Sequence, residues 1–403
     1  MIRRAGLALA LAGLAACGGN PSPAAPTPAR DTVSEPPPKP PAPPAPLPPP
    51  PAPHPTSVRL AFVGDINLGT ATLPDGVPPD SGRGLLDQAR PFLTGDLVVG
   101  NFEGVLADTG TSEKCARMRT EDELRHPRRK RRRPAQDTVT TRPGCYAFRT
   151  PTALAPRLVD AGFTHLNLAN NHANDYGPAG RASTERILDS LGLRLYGPLG
   201  RIAIDTVRRG DSLTTVGLLG FTTYPYAYDL LDIARSAAVV DSLRPLVDLL
   251  VVTFHGGSEG LRALHVPETA ESLGREPRGD LRRWARAVID AGADAVVGHG
   301  PHVLRGIEFY RGRPIAYSLG NFVTYRGFNL EGPLGVTGVL QLEFAPDRRL
   351  RSARLVPMFQ APREGPAPDP DRTALELVRR LSSEDFGATA ARVTEDGAVF
   401  PPP

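Results

Sequence analysis

Seven polar residues of this 403-residue chain stand where strand-like apolar runs stop: Asp65, Glu103, Asn171, His172, His255, His299 and His302. The chain has eight histidines, and four of them belong to this set. Carboxylate oxygens mixed with imidazole nitrogens suit a divalent transition metal. A ligating imidazole also needs an acceptor behind its other ring nitrogen. A single histidine at a strand end is more often an ordinary buried polar group. Four of them, with two carboxylates and an amide, point to one shared metal site. Glu259, four residues after His255, is either a group that orients a ligand or takes a proton, or a surface carboxylate. Ser318 lacks the Gly-x-Ser-x-Gly elbow of serine hydrolases and reads as structural. Gly217 and Gly220 make no phosphate-binding loop.

The elements that must position these residues are legible in outline. Strand signals at Val58–Val63, 96–99, 163–168, 249–254 and 294–297 each run into polar residues. Helical patterns near 151–161, 178–191 and 278–291 lie between them. Alternating strands and helices predict an α/β protein with a buried sheet. Such sheets gather ligands at the carboxyl ends of their strands. Later strands near 303–309, 313–318, 337–345 and 349–357 follow one another closely, which predicts a second, more antiparallel sheet. The expectation is a two-sheet sandwich flanked by helices over 58–362, followed by a C-terminal helix near 372–385 and a tail, together 363–403.

Several blocks resemble the CapA family, the poly-γ-glutamate capsule biosynthesis proteins, whose fold is of the calcineurin-like metallophosphatase type. They are Gly64-Asp65-Ile66-Asn67-Leu68-Gly69, Gly100-Asn101-Phe102-Glu103-Gly104 and Leu168–Gly177 with its Asn170-Asn171-His172 core. His255-Gly256-Gly257-Ser258-Glu259, Gly298-His299-Gly300-Pro301-His302 and Tyr317-Ser318-Leu319-Gly320-Asn321-Phe322 complete the set. The resemblance implies metal ligands at Asp65, Glu103, Asn171, His255, His299 and His302. It implies a catalytic role for His172; Glu259 is a second catalytic candidate by its spacing from His255, and Asn67, Asn101 and Asn321 are candidate substrate-binding residues. The implied cofactor is one or two divalent ions, manganese, zinc or iron, which would acidify water and polarise a carbonyl or phosphoryl oxygen. Asn67 stands where metallophosphatases usually place a histidine, which weakens one of two metal positions. Gly256 replaces a frequent CapA tryptophan, and Gly300 a frequent histidine. Asp175 and Tyr176 follow the Asn-His turn and shape it.

The N-terminus reads as an export signal. Arg3 and Arg4 precede an apolar stretch, Ala5–Ala16, too short to span a bilayer. Leu14-Ala15-Ala16-Cys17 matches a bacterial lipobox, which implies removal of residues 1–16 and lipidation of Cys17; the alternative is an ordinary signal with a cysteine there by chance. Residues 17–57 form the anchored tether. Eighteen of the 36 residues Asn20–Pro55 are proline, so the segment lacks the donors and apolar surface of a folded core. As polyproline II it would reach on the order of 110 Å. Cys115 and Cys145 remain, and an oxidising compartment favours a disulfide between them; two buried free thiols are the other arrangement.

Net charge is +4, which invites a nucleic-acid reading. Seven basic residues between Arg125 and Arg133 account for it. Without them and the two N-terminal arginines, 38 basic residues face 43 acidic ones. An exported location and the absence of interleaved aromatics argue against nucleic acid. The arginine run, within an insert at about 112–143, suits an anionic polymer or is a solvated loop.

These features together describe an exported lipoprotein in the bacterial envelope, in the periplasm or at the cell surface. It would act in synthesis, processing or export of an anionic polymer such as poly-γ-glutamate, beside other capsule synthesis proteins. A metal-dependent phosphoesterase and a non-enzymatic scaffold are the alternatives.

Overall fold

The computed structural model describes residues 54–112, 114–115 and 145–403. The leader, Cys17, nearly all of the tether and the arginine run lie outside the described residues. No helix among them is long and apolar enough to cross a membrane.

In chain order the principal strands are β1 (Val58–Asn67), β2 (Leu97–Phe102), β3 (His165–Asn167), β4 (Arg194–Tyr196), β5 (Ala203–Arg209) and β6 (Ser212–Thr222). They continue with β7 (Leu249–His255), β8 (Ala295–His299), β9 (Ile307–Tyr310), β10 (Arg313–Ala316), β11 (Asn321–Thr324), β12 (Val336–Phe344), β13 (Leu350–Phe359) and β14 (Ala367–Pro368). The principal helices are α1 (Pro156–Ala161), α2 (Gly177–Ser190), α3 (Ile233–Leu243), α4 (Leu281–Asp290) and α5 (Thr373–Phe386).

Two sheets result. The first runs β14-β13-β12-β1-β2-β3-β4, with β11 also on β1; the second runs β9-β10-β8-β7-β6-β5. Strand alternation explains why they stack. Val58, Leu60 and Phe62 of β1 face Val251 of β7 and Val297 of β8 in one core. Ala61 and Val63, on the opposite face, pack on Leu158 of α1 and Leu188 of α2. In β7 the same alternation sends Leu250, Val252 and Phe254 outward onto Val240 of α3 and Trp284 of α4. Leu281, Trp284, Ala285 and Val288 give α4 the one-sided apolar stripe that seats it there. The architecture is therefore an α/β sandwich of two sheets between helices.

The later strands do not form a sheet of their own. β9 and β10 join the second sheet through a parallel pairing of β10 with β8, whereas β12 and β13 extend the first through an antiparallel pairing with β1. β11 explains the divergence. It takes over as the parallel partner of β1 from Asp65 onward, after β12 has paired with Val58–Phe62. α5 buries Leu375, Val378 and Leu381 in the inter-sheet core, so the C-terminal segment is part of the same packed body.

The β5–β6 hairpin and α3 are not among the elements expected from the sequence. Glycines mask β6: a Cβ on Gly220 would meet Asn167 Oδ1 at 2.4 Å and Gly197 Cα at 3.0 Å. Close approach of the first sheet demands glycine in a strand interior, where it otherwise weakens the strand.

Candidate metal centre

Parallel register brings the chemistry to one edge. Asp65 pairs with Asn101 across β1 and β2 and with Asn321 across β1 and β11. His255 pairs with His299 across β7 and β8. Glu103 directly follows β2, and Asn171 and His172 follow β3. The tight crossing is visible at Gly64, where a Cβ would lie 1.9 Å from Gly320 O. Here Asp65 N donates to the same carbonyl at 2.9 Å.

Asp65, Glu103 and His255, all buried, place ligand atoms within 4.8 Å of one another, a group that can hold a metal ion. His255 Nε2 lies 3.7 Å from Glu103 Oε1 and its Nδ1 3.9 Å from Asp65 Oδ1. His302 joins from the loop after β8, with Nδ1 3.0 Å from Asp65 Oδ2 and Nε2 3.7 Å from Glu103 Oε1. Its φ is +59°, a left-handed backbone state that a side chain other than glycine's seldom adopts and that marks functional loops.

Buried polar groups are nearly always hydrogen-bonded. Both Glu103 carboxylate oxygens, His255 Nε2, Asn171 Oδ1 and Asn321 Oδ1 are buried without a hydrogen-bond partner. Most of these atoms are oxygen acceptors. A divalent cation satisfies such a set, so the residues present fit one.

The electrostatics reflect the crowding of these buried groups. Burial pushes the Glu103 carboxyl well above the usual range, and the attraction of His302 does not offset it. Burial would also raise Asp65, but the hydrogen bond and charge of His302 overcome it and hold Asp65 below the usual range. Burial opposes a proton on His302, yet Glu103 and Asp65 together push its pKa up to about 10. Burial drives His255 well below its ordinary value, which leaves a neutral imidazole, the form that binds metal.

Asn101 supports this arrangement from beneath. Its Nδ2 donates to Asp65 Oδ1 at 2.8 Å and lies 3.2 Å from His255 Nδ1. Its Oδ1 accepts from Asn167 at 2.9 Å and from Asn170 at 3.2 Å. Asn67 faces backbone on both sides, donating to Glu103 O at 2.8 Å and accepting from Gly69 N at 3.1 Å. Asn321 donates to His302 O and to Leu334 O at 3.2 and 3.1 Å. His299 has its ring nitrogens 3.1 Å from Val63 O and 3.3 Å from Phe254 O. Its ring therefore ties the two sheets together rather than meeting Glu103.

His172 stands across from His302, with Nε2 3.9 Å from Glu103 Oε1. Its Nδ1 lies 2.7 Å from Asp175 Oδ2, and Lys114 Nζ sits 3.1 Å from Asp175 Oδ1. A buried carboxylate on Nδ1 fixes the ring and turns Nε2 toward the carboxylate cluster. The i, i+3 spacing of His172 and Asp175 is the signal that would have revealed this pair. Burial lowers the His172 pKa. Glu259 is held by the fully buried Arg278 at 2.8 Å and approaches His302 Nε2 at 4.0 Å. Arg278 in turn donates to Gly257 O at 2.8 Å and to Glu276 at 3.0 Å. No sequence pattern marked Arg278. Cys115 and Cys145 are joined by a disulfide, their Cα atoms 5.8 Å apart.

The family profile described as "Bacterial capsule synthesis protein PGA_cap" matches residues 133–326. The chain is similar to CapA proteins. It is 35% identical over 185 residues to the PGA biosynthesis protein CapA of Bacillus subtilis, covering 42% of this chain and 45% of that protein. It is 31% identical over 186 residues to the capsule biosynthesis protein CapA of Bacillus anthracis, covering 42% of each. The chain thus spans about half the length of the curated relatives it matches, or less. The matched segment includes His172, His255, His299 and His302, while Asp65 and Glu103 precede it. Among solved structures, the NAD nucleotidase of Haemophilus influenzae aligns at 14% identity and a TM-score of 0.38, over 81% of this chain and 63% of that one.

Proposed function

We propose that this chain handles an anionic capsule polymer of the poly-γ-glutamate class through a divalent-metal centre of the hydrolase or transferase type. Asp65, Glu103, His255 and His302 would hold the ion, with Asn171 contributing its oxygen. The observation that supports this reading is the buried Asp65–Glu103–His255 group, in which both Glu103 oxygens and His255 Nε2 lack a hydrogen-bond partner. A bound divalent ion supplies Lewis acidity to an attacked carbonyl or phosphoryl oxygen. His172, oriented by Asp175, holds a proton at Nε2 for a leaving group or takes one from a nucleophile. Arg278 keeps Glu259 facing His302. Asn67, turned to the backbone, leaves one metal as the expected count. We further propose export and lipidation at Cys17, with the tether holding the folded part away from the bilayer.

The experiment is metal content by elemental mass spectrometry on the purified chain, beside an Asp65→Ala/His255→Ala variant. Near-stoichiometric manganese, zinc or iron, lost in the variant, supports the centre. Shortening or transfer of polyglutamate chains by the metal-loaded protein, absent in His172→Ala, supports the reaction. No metal after incubation with all three ions overturns the centre and leaves a scaffold.

A further inference from the structure

The centre is closed. Side-chain exposure is zero for Asp65, Glu103 and His255, 7% for His172 and 11% for His302. A substrate cannot touch groups so deeply covered unless something moves. Two aromatic rings span the gap between the histidines. Phe148 lies on His172 with ring centroids 4.3 Å apart, Phe328 lies on His302 at 5.0 Å, and the two rings stack on each other at 4.9 Å.

The segment that carries Phe328 is loosely built. Tyr325 is pinned on both sides, its N–H donating to Asn67 O at 3.1 Å and its carbonyl accepting from Arg363 N at 3.2 Å. After it, residues 326–330 make no backbone hydrogen bond to any described residue. Order resumes when Glu331 N donates to Asn329 Oδ1 at 2.9 Å and Leu334 N to Glu331 O at 3.3 Å. Gly327 has φ +103°, and a Cβ there would meet Phe148 Cε1 at 2.9 Å. The glycine lets the chain turn where the ring of Phe148 leaves no room. Segments with few backbone bonds open at low free-energy cost.

We propose that residues 326–330 form a strap that gates the candidate metal centre, with the Phe328 ring as its latch on Phe148 and His302. In the closed state the stacked rings exclude water from the carboxylate cluster. Release of Phe328 uncovers His302, frees Phe148 and so opens the face of His172. An extended, flexible substrate suits such an opening, because a chain segment enters where a bulky folded partner does not. The gate deepens the metal-centre reading in function, but its test requires no metal.

That test is carbethoxylation by diethyl pyrocarbonate at neutral pH, on the full chain without added metal, read residue by residue by mass spectrometry. His265, 56% exposed, is the internal reference, and the deeply buried His299 reports unfolding. We expect His172 to react far more slowly than His265 in the wild type. Phe328→Ala raises the His172 to His265 ratio by about tenfold, the effect of removing the ring contacts that hold a weakly bonded segment. Phe328→Tyr, which keeps the ring, stays near wild type. An unchanged ratio in Phe328→Ala overturns the strap. If His299 also reacts in Phe328→Ala, the variant has unfolded and Phe328→Leu decides; an unchanged ratio there overturns the proposal equally. Failure of the metal centre shows in the elemental assay and leaves this ratio untouched.

Discussion

Gly256 and Gly300 lie against each other. A Cβ on Gly300 would sit 2.7 Å from Gly256 O and 2.9 Å from Gly256 N, and Gly300 has φ +111°. A Cβ on Gly256 would meet Leu230 Cδ2 at 2.6 Å and Arg278 O at 2.9 Å. These positions are where this chain departs from the tryptophan and histidine frequent in CapA proteins. Each departure has its own steric cause. Leu230 and the Arg278 backbone fill the space beside Gly256, and the Gly256 backbone fills the space beside Gly300.

Gly300→Ala should accordingly destabilise the fold by about 1–3 kcal/mol, from both the left-handed backbone and the contact with Gly256. Restoring the frequent residue alone, Gly300→His, should cost at least as much. Urea denaturation midpoints measure both. A Gly300→His variant as stable as wild type would show that the Gly256 backbone gives way to a side chain at position 300.

Glu103→Gln separates the metal role from the folding role of the buried carboxylate. In the metal-free chain Glu103 is fully buried with both oxygens unpartnered, and burial holds its pKa well above the usual range. Replacing it with a neutral amide of similar shape should leave the metal-free protein as stable as wild type, or more so. With manganese at about 100 times its Kd, the wild type should gain about 2.7 kcal/mol by linkage, and the variant much less. Differential scanning calorimetry with and without manganese reads both arms. Equal metal-induced stabilisation in wild type and variant would remove Glu103 from the ligand set.

How much of this was legible in the sequence follows from what each signal depends on. Strand ends such as Val63-Gly64-Asp65 and Phe254-His255 show themselves through local alternation and an abrupt polar stop, so the α/β class and the polar edge were readable. Sheet membership was not, because it depends on which partner a strand finds at long range. The change from β12 to β11 along β1 leaves no local trace. The same limit hid Arg278 and Phe328, whose importance lies in contacts with Glu259 and His302 rather than in their own neighbours. Asn67 reads as a substrate-binding candidate by its place in the motif, and only the structure shows both its polar atoms turned to the backbone.

The Cys115–Cys145 disulfide closes a separation of 30 residues. In the chain-entropy account such a loop contributes roughly 3–4 kcal/mol. Lys114, adjacent to Cys115, reaches Asp175 at 3.1 Å, and Phe148, three residues after Cys145, lies on His172. The bond thus holds both flanks of the His172–Asp175 pair. The Cys115→Ser/Cys145→Ser variant should show a lower denaturation midpoint, and reductant should lower the wild type to meet it. A wild-type midpoint insensitive to reductant and matching that of the variant would sink this assignment.

The pair of His165 and Asp205 predicts a pH dependence away from the metal centre. His165 Nε2 lies 2.8 Å from Asp205 Oδ2, its Nδ1 lies 2.8 Å from Thr164 Oγ1, and Arg194 binds the other Asp205 oxygen at 3.1 Å. Burial lowers the His165 pKa despite the carboxylate. Below the unfolded value of about 6.5 the unfolded chain therefore binds a proton that the native one resists, and stability falls as pH drops. Asp205 is also lowered: burial opposes this, but the hydrogen bonds from His165 and Arg194 prevail. Its contribution is present above about 3.9 and is lost as pH falls through the lower folded value. The two windows open at different pH, about 6.5 for His165 and about 3.9 for Asp205. His165→Gln should shrink the loss of stability between about pH 7 and about pH 5, while Arg194 preserves part of the acid limb below about pH 4. Urea midpoints across that range measure it. An identical pH slope in wild type and variant would show that His165 takes up its proton equally readily in the folded and unfolded chains.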